Sequence, residues 1–330
     1  MTASGGGFVR IERLGDLPAH LRGGVVAIGN FDGVHRGHHA VLEKALDEAR
    51  QRGAPALVLT FEPHPRSYFR PDTPCFRITP AHLKAEILAL SGFDAVIELH
   101  FDAAFAGQSA DAFVDTVLVE GLGISHVVTG FDFHFGKERK GDPAFLSAAG
   151  QARGFGVSLV DAFRDEGAEI VSSSRIRALL DEGAVAEAAG LLGYRFAVEA
   201  PVTRGKQLGR TLGFPTANMV LPPETVLRHG IYAVRLRRAD GTLHDGVASF
   251  GQRPTVDEDG APLLETFVFD FSGDLYGETC RVSLFGFLRG EAKFDGLDAL
   301  VVQMKRDEAE ARALLAGARP LSDIDLRLSF

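Results

Sequence analysis

Two histidines three residues apart, His35 and His38, open a helical pattern directly behind a short apolar run that ends in Gly29. The stretch reads AIGNFDGVHRGH, and Gly29, Gly33 and Gly37 allow tight turns in it. A helix N-terminus offers unpaired N–H groups and the positive end of a dipole, and so attracts phosphate. Positions i and i+3 share a helix face, so both imidazoles can donate to one anion as charge develops during group transfer. Two surface histidines at a helix start would show the same spacing. A second constellation, RGKQLGRTLGFPTAN, covers residues 204–218. It is not a Walker A sequence, because no GK[ST] is present. Gly205, Gly209 and Gly213 leave backbone open to a phosphate chain, while Lys206 and Arg210 supply positive charge. Thr216 and Asn218 lie two apart, on one side of an extended strand. Their neutral oxygens suit a Mg2+ ion held together with polyphosphate. Taken singly, this is also a glycine turn followed by two polar strand residues. Glu265 stands inside the apolar run LLETFVF. A carboxylate there costs desolvation unless it has a task or a partner. It is placed either to pair in a salt bridge or to take the proton of a primary alcohol in phosphoryl transfer.

The elements that would hold these residues fall into two regimes. Residues 24–29, 56–61, 94–99, 125–129 and 157–161 read as short buried strands. Helices are expected at 36–52, 80–91, 109–120, 142–153 and 173–182. In the third of these, Ala110, Phe113, Val114, Val117 and Leu118 repeat at helical spacing. Such alternation specifies an α/β domain with a parallel sheet covered on both faces. After about residue 190 the pattern becomes β-rich, with candidate strands at 195–203, 216–221, 231–238, 243–250, 264–271 and 280–288. Six strands without intervening helices imply a small antiparallel barrel or sandwich. A terminal helix is expected at 295–316, with Leu297, Leu300, Val301 and Met304 on its apolar stripe. The domain boundary is expected near 185–193, giving domains 1–187 and 188–330.

Composition narrows the function classes. The chain has 330 residues, which favours two domains, and a formal net charge of −9. That acidity argues against nucleic acid or an anionic membrane as partner. Only Cys75 and Cys280 occur, far apart, so neither a disulfide framework nor zinc spacing is present, and a reducing cytoplasm is expected. No signal-like segment and no apolar run of spanning length appears.

The motifs NFDGVHRGH (30–38), TFEPHP (60–65), FDFHFGKERKGD (131–142) and SSSRIR (172–177) together resemble the bacterial bifunctional riboflavin kinase/FMN adenylyltransferase family, also called FAD synthetase. The resemblance extends over residues 10–316. His35-Arg36-Gly37-His38 is the H-x-G-H signature of nucleotidyltransferases, and PTAN, GIYAV (230–234), Glu265 and SLFGFLRGEAKFDGLDAL (283–300) match the kinase module. The resemblance implies a Rossmann-like nucleotidyltransferase domain followed by a six-stranded barrel. It implies phosphorylation of riboflavin by ATP to FMN, then adenylylation of FMN to FAD with release of pyrophosphate. It assigns His35 and His38 to the ATP phosphates, and backbone at Gly29, Asn30 and Phe31 to the adenylyl part. Ser173, Ser174 and Arg177 would steady the triphosphate, although Ser172 to Ser174 also read as helix N-caps. Asp132 would lie near the flavin phosphate or the metal, and Arg289 is a further candidate for flavin or nucleotide contact. Phe131 stands where the family often has an acid, Ser174 where it has Thr, and Ser249 where an Asn is common. The partners expected are riboflavin, FMN and ATP with Mg2+. A homo-oligomer is compatible with the sequence. Two other readings are a nucleotidyltransferase for a different phosphate monoester with a substrate-binding barrel, and a flavin-binding regulator with inactive sites.

Overall fold

The computed structural model describes residues 7–205, 214–252 and 261–330. The chain divides into two compact units, Met1–Ser172 and Ser173–Phe330.

The first unit is built on six parallel strands: β1 (Val9–Ile11), β2 (Val25–Ile28), β3 (Ala56–Glu62), β4 (Ala95–His100), β5 (His126–Gly130) and β6 (Gly156–Val160). Their order across the sheet is β1-β4-β3-β2-β5-β6, every neighbouring pair parallel. The five strands expected from sequence are present, and β1, too short to carry a pattern, adds an edge beside β4. Helix α1 (Arg36–Arg52) follows β2, and the short α2 (Pro65–Phe69) and α3 (Ala81–Leu90) follow β3. Two short helices, α4 (Ala103–Ala106) and α5 (Ala110–Ala112), follow β4, and α6 (Pro143–Arg153) precedes β6. From Phe113 to Leu122, α5 continues as a π-helical stretch. Its apolar stripe survives that widening, since Ala110, Phe113, Val114, Val117 and Leu118 are all buried. Alternate strand residues face opposite sides. Val26, Ile28, Leu57, Leu59, Ile97 and Val127 pack with the 113–122 stretch in one core cluster. The α1 stripe of Val41, Leu42, Ala45 and Ala49 is buried as well, so short strands that are apolar on every residue have both faces occupied.

The order reverses at β2, whose neighbours are β3 on one side and β5 on the other. Ligands of open α/β sheets bind beyond the strand C-termini at such a switch point. The loops leaving β2 and β5 carry Gly29 to His35 and Phe131 to Gly141.

The second unit begins with α7 (Ser173–Glu182) and α8 (Val185–Leu192). By packing, these helices group with the barrel rather than with the sheet, ahead of the boundary expected at 187/188. The barrel comprises β7 (Ala197–Pro201), β8 (Thr216–Val220), β9 (Gly230–Arg237), β10 (Leu243–Gln252), β11 (Pro262–Val268) and β12 (Thr279–Arg289), ordered β7-β12-β9-β10-β11-β8 and antiparallel throughout. A bridge between Thr203 and Asn218 brings the chain beyond β7 back to β8 and nearly closes the ring. Inward positions such as Met219, Tyr232, Val234, Phe250, Leu264, Thr266 and Val282 are fully enclosed.

Helix α9 (Leu297–Gly317) and a final α10 (Asp323–Ser329) complete the unit. The expected stripe of α9 runs along one face: Leu297 is 64% exposed, Leu300, Val301 and Met304 are half-buried, and the same face becomes fully buried at Asp307, Ala311 and Leu315. Ala311 and Leu315 pack with Ala233, Phe269 and Phe285, and with the partly buried Val247 and Phe267, on the outer barrel face.

Candidate active sites of the two units

In the first unit His35 is the N-cap of α1. The His38 backbone N–H donates to Nδ1 of His35 at 3.2 Å, and the His35 N–H donates to Nδ1 of His38 at 3.3 Å. An imidazole nitrogen that accepts from an amide carries no proton. Each ring is therefore a neutral tautomer with its proton on Nε2, a donor and not a base. The rings stack at 3.6 Å between centroids, and Phe31 meets His38 edge-on at 5.3 Å. Burial, followed by the fields of His35, His39 and Lys84, holds His38 well below the usual histidine range. Gly37 has no room for a side chain: a Cβ would lie 2.8 Å from the Val171 carbonyl and 3.0 Å from the His35 ring. Arg36, between the two histidines, forms paired hydrogen bonds with Glu166 and lies over the Phe163 ring.

The loop that delivers these residues is strained. Phe31 and Val34 have φ of +47° and +34°, conformations costly for bulky or β-branched residues. Both side chains are buried, and a Cβ on Gly29 would touch the Phe31 ring at 3.0 Å. What holds the loop was not read from the sequence. The Gly33 N–H donates to Thr79 Oγ1 at 2.8 Å, and the Thr79 N–H donates to buried Asp32 at 3.2 Å. Arg77 grips Glu62 with two hydrogen bonds of 2.6 and 2.8 Å. Lys84, completely enclosed, donates to Glu62 at 2.8 Å and to Thr60 Oγ1 at 2.9 Å. Burial alone would raise the Glu62 pKa, but the Arg77 hydrogen bonds and the Lys84 charge overcome it and bring it to about 2. Thr60 and Glu62 belong to the TFEPHP motif. Lys84 gave no sequence signal, because one lysine in an apolar helix ordinarily points to solvent.

Beyond β5, Phe131 is 49% exposed. Asp132 lies next to it, with its backbone carbonyl 2.8 Å from Nδ1 of His134. Phe133 and Phe135 stack, and Phe135 packs against Phe113. Topology thus puts the Asp132 loop and the histidine loop at adjacent strand ends. Ser173, Ser174 and Arg177 lie on α7, at the start of the second unit, within a helix whose span matches the expected one.

The barrel site is set by register. Asn218 on β8 pairs with Glu265 on β11, Glu265 with Ser249 on β10, and Ser249 with Ile231 on β9. Laterally paired residues share a face, so Asn218, Glu265 and Ser249 stand side by side across three strands. That face is opposite the one carrying Leu264 and Thr266, both fully buried, so Glu265 lies on the outer side of the barrel. Phe267, two residues on, packs beneath α9 and fixes the strand beside Glu265. The Asn218 amide donates to the Thr216 carbonyl at 3.1 Å and to its hydroxyl at 3.3 Å. That fixes the amide orientation and leaves Asn218 Oδ1, although buried, without a hydrogen-bond partner. Thr203 donates to the Asn218 carbonyl from its N–H at 2.7 Å. A Cβ on Gly205 would lie 2.8 Å from the Asn218 amide, so only glycine leaves that space open. Lys206 and Arg210, with Gly209 and Gly213, lie outside the described residues. Arg289 is bound through paired hydrogen bonds of 2.8 and 2.6 Å to buried Asp307 of α9, so its guanidinium links barrel to helix.

A Rossmann-like sheet with paired imidazole donors at its switch point, followed by a barrel presenting an amide, a hydroxyl and a carboxylate together, defines a two-unit enzyme of phosphate transfer. Comparison with known proteins makes this specific. The FAD synthetase family matches residues 17–175 and the riboflavin kinase family residues 192–315. The bifunctional riboflavin kinase/FMN adenylyltransferase of Pseudomonas fluorescens is 42% identical over 93% of this chain and 97% of its own. Those of Escherichia coli K12 and Listeria monocytogenes are 39% and 38% identical over 94% and 88% of this chain, and 98% and 92% of their own. The chain belongs to the bifunctional riboflavin kinase/FMN adenylyltransferase family. It converts riboflavin to FMN and FMN to FAD with ATP. A solved structure from Streptococcus pneumoniae, named a macrolide-efflux protein, superposes with a TM-score of 0.81 at 31% identity, covering 92% of this chain and 98% of that one. Among the described residues no helix is long and apolar enough to cross a membrane.

Proposed function

We propose that the two reactions are divided between the units, adenylylation at the β2–α1 loop and phosphorylation on the outer face of the barrel. The row Asn218–Glu265–Ser249 carries this reading, because it sets a carboxylate beside a buried amide oxygen that has no partner. Glu265 takes the proton of the ribityl hydroxyl as that oxygen attacks the γ-phosphorus of ATP. ADP leaves, and the base holds the proton until product departs. Thr216 and Asn218 fit a Mg2+ ion, since the orphaned Oδ1 and the adjacent hydroxyl are hard neutral oxygens and Gly205 leaves room above them. When bound, the ion offsets the negative charge of the nucleotide phosphates.

In the first unit, the FMN phosphate oxygen attacks the α-phosphorus of ATP and pyrophosphate leaves, with no protein nucleophile. The Nε2–H groups of His35 and His38 donate to the phosphate oxygens, and positioning and charge stabilisation supply the catalysis. Backbone at Gly29, Asn30 and Phe31 holds the adenylyl part. Asp132 lies toward the flavin phosphate. Arg289, held in place by Asp307, is a further candidate for flavin or nucleotide contact. The functional domains are 1–187 and 188–330, and the enzyme works in the cytoplasm. Assayed separately on riboflavin and on FMN, Glu265→Gln should lose FMN formation by about 10²–10⁴-fold, the usual contribution of a general base, and keep FAD formation from FMN. Loss of both steps together would refute the division.

A further inference from the structure

We propose that Lys84 is a positioning residue for adenylyl transfer, fixing the Asn30 carbonyl, directly and through Thr60, and with it the backbone that receives the adenylyl part of ATP. The proposal rests on assigning the β2–α1 loop to that reaction. Lys84 sits on α3 between Leu83 and Ala85 and is wholly enclosed. Its ammonium has three protons, and three acceptors surround it: Glu62 Oε1 at 2.8 Å, Thr60 Oγ1 at 2.9 Å and the Asn30 carbonyl at 3.4 Å. Thr60 Oγ1, accepting from Lys84, donates its own proton to the same Asn30 carbonyl at 3.1 Å. Packing alone would be served by methionine or leucine at no desolvation cost, whereas a buried ammonium is tolerated only with full pairing. The carbonyl so held belongs to the residue preceding Phe31, and the left-handed Phe31 and Val34 would relax if released. Thr79 holds Asp32 and Gly33 of the same loop. Every one of these holding groups comes from β3, α3 or the segment joining them. None has been given a contact with substrate, so the cluster acts through the loop.

The test compares Lys84→Met, Thr60→Val and His38→Ala in the full-length enzyme, with ATP kinetics measured separately for each step. Lys84→Met should raise the ATP KM of FAD formation by about tenfold or more, the scale of a misplaced binding group. The ATP KM of riboflavin phosphorylation, made by an independent site, should stay within about twofold. Thr60→Val, nearly isosteric and uncharged, should shift the same KM in the same direction, and it carries the test if Lys84→Met does not fold. A fall in kcat with unchanged KM in either variant would show a merely structural role and overturn the proposal. So would KM values within about twofold of the parent enzyme in both variants. If His38→Ala retained full FAD formation, the loop itself would not be the adenylylation site, and the underlying reading would fail with the proposal.

Discussion

The reciprocal bonds between His35 and His38 decide what either residue can do. Each ring spends Nδ1 as an acceptor for the other's backbone N–H, so each offers only an Nε2–H to a ligand. A protonated His38 would lose its cap bond and stand against the neighbouring His35 ring and the buried Lys84 charge. NMR titration of His38 should therefore show a neutral imidazole with Nε2 protonated through pH 6.5, the ordinary midpoint of histidine. Half-titration at that pH would contradict the assigned tautomer. Sequence alone showed that the two histidines share a helix start, because spacing and glycines are local. It could not show the mutual capping, which depends on the N-cap geometry of one residue. The buried support of Lys84, Arg77 and Glu62 was equally hidden, since it joins residues more than a dozen positions apart in sequence.

At the scale of elements, β register assembles the barrel site. Asn218, Glu265 and Ser249 occupy three strands, and only the pairing of β8, β11 and β10 makes them neighbours. The strands themselves were legible, because aromatic and β-branched runs alternate with turn residues, and each of the six lies close to its expected span. Their partners were not, since nothing in a single strand states which edge it will meet. Ser249 shows the consequence: from sequence it is a departure from the family pattern without a role, whereas in the fold it is the direct neighbour of Glu265. For α9 the visible apolar residues mark the packed face but are only half-buried in its first turns; further on the same face is fully buried and includes Asp307, whose partner Arg289 ends β12. Gly205 provides the element-scale test. In Gly205→Ala a methyl group must displace the Asn218 amide, so the Mg2+ and ATP concentrations for half-maximal riboflavin phosphorylation should rise by about tenfold or more. FAD formation from FMN should be unaffected, and unchanged kinase behaviour would remove Asn218 from the site.

For the whole molecule, the two units should respond differently to acid. His38, His39 and His126 all lie in the first unit, and burial is the leading cause that lowers each pKa from 6.5. A depressed folded value means that the unfolded chain binds protons first as pH falls, so stability present above pH 6.5 is lost below it. Glu62 adds a second loss between 4.5 and about 2. In the barrel, burial raises Tyr232 and Cys280 instead, and their contribution is lost only at alkaline pH. Hydrogen exchange, corrected for intrinsic rates, should therefore show strands β2, β3 and β5 losing protection between pH 7 and 5 before β9, β10 and β12 do, and the reverse order would contradict the linkage. The central claim is that each unit holds its own polyphosphate site. The most direct measurement is chromatography of products from riboflavin, ATP and Mg2+ with His38→Ala and Glu265→Gln, each also supplied with FMN. His38→Ala should accumulate FMN without FAD. Glu265→Gln should leave riboflavin unchanged yet convert supplied FMN to FAD. If both variants failed at the same step, the division of the molecule into two sites would be wrong.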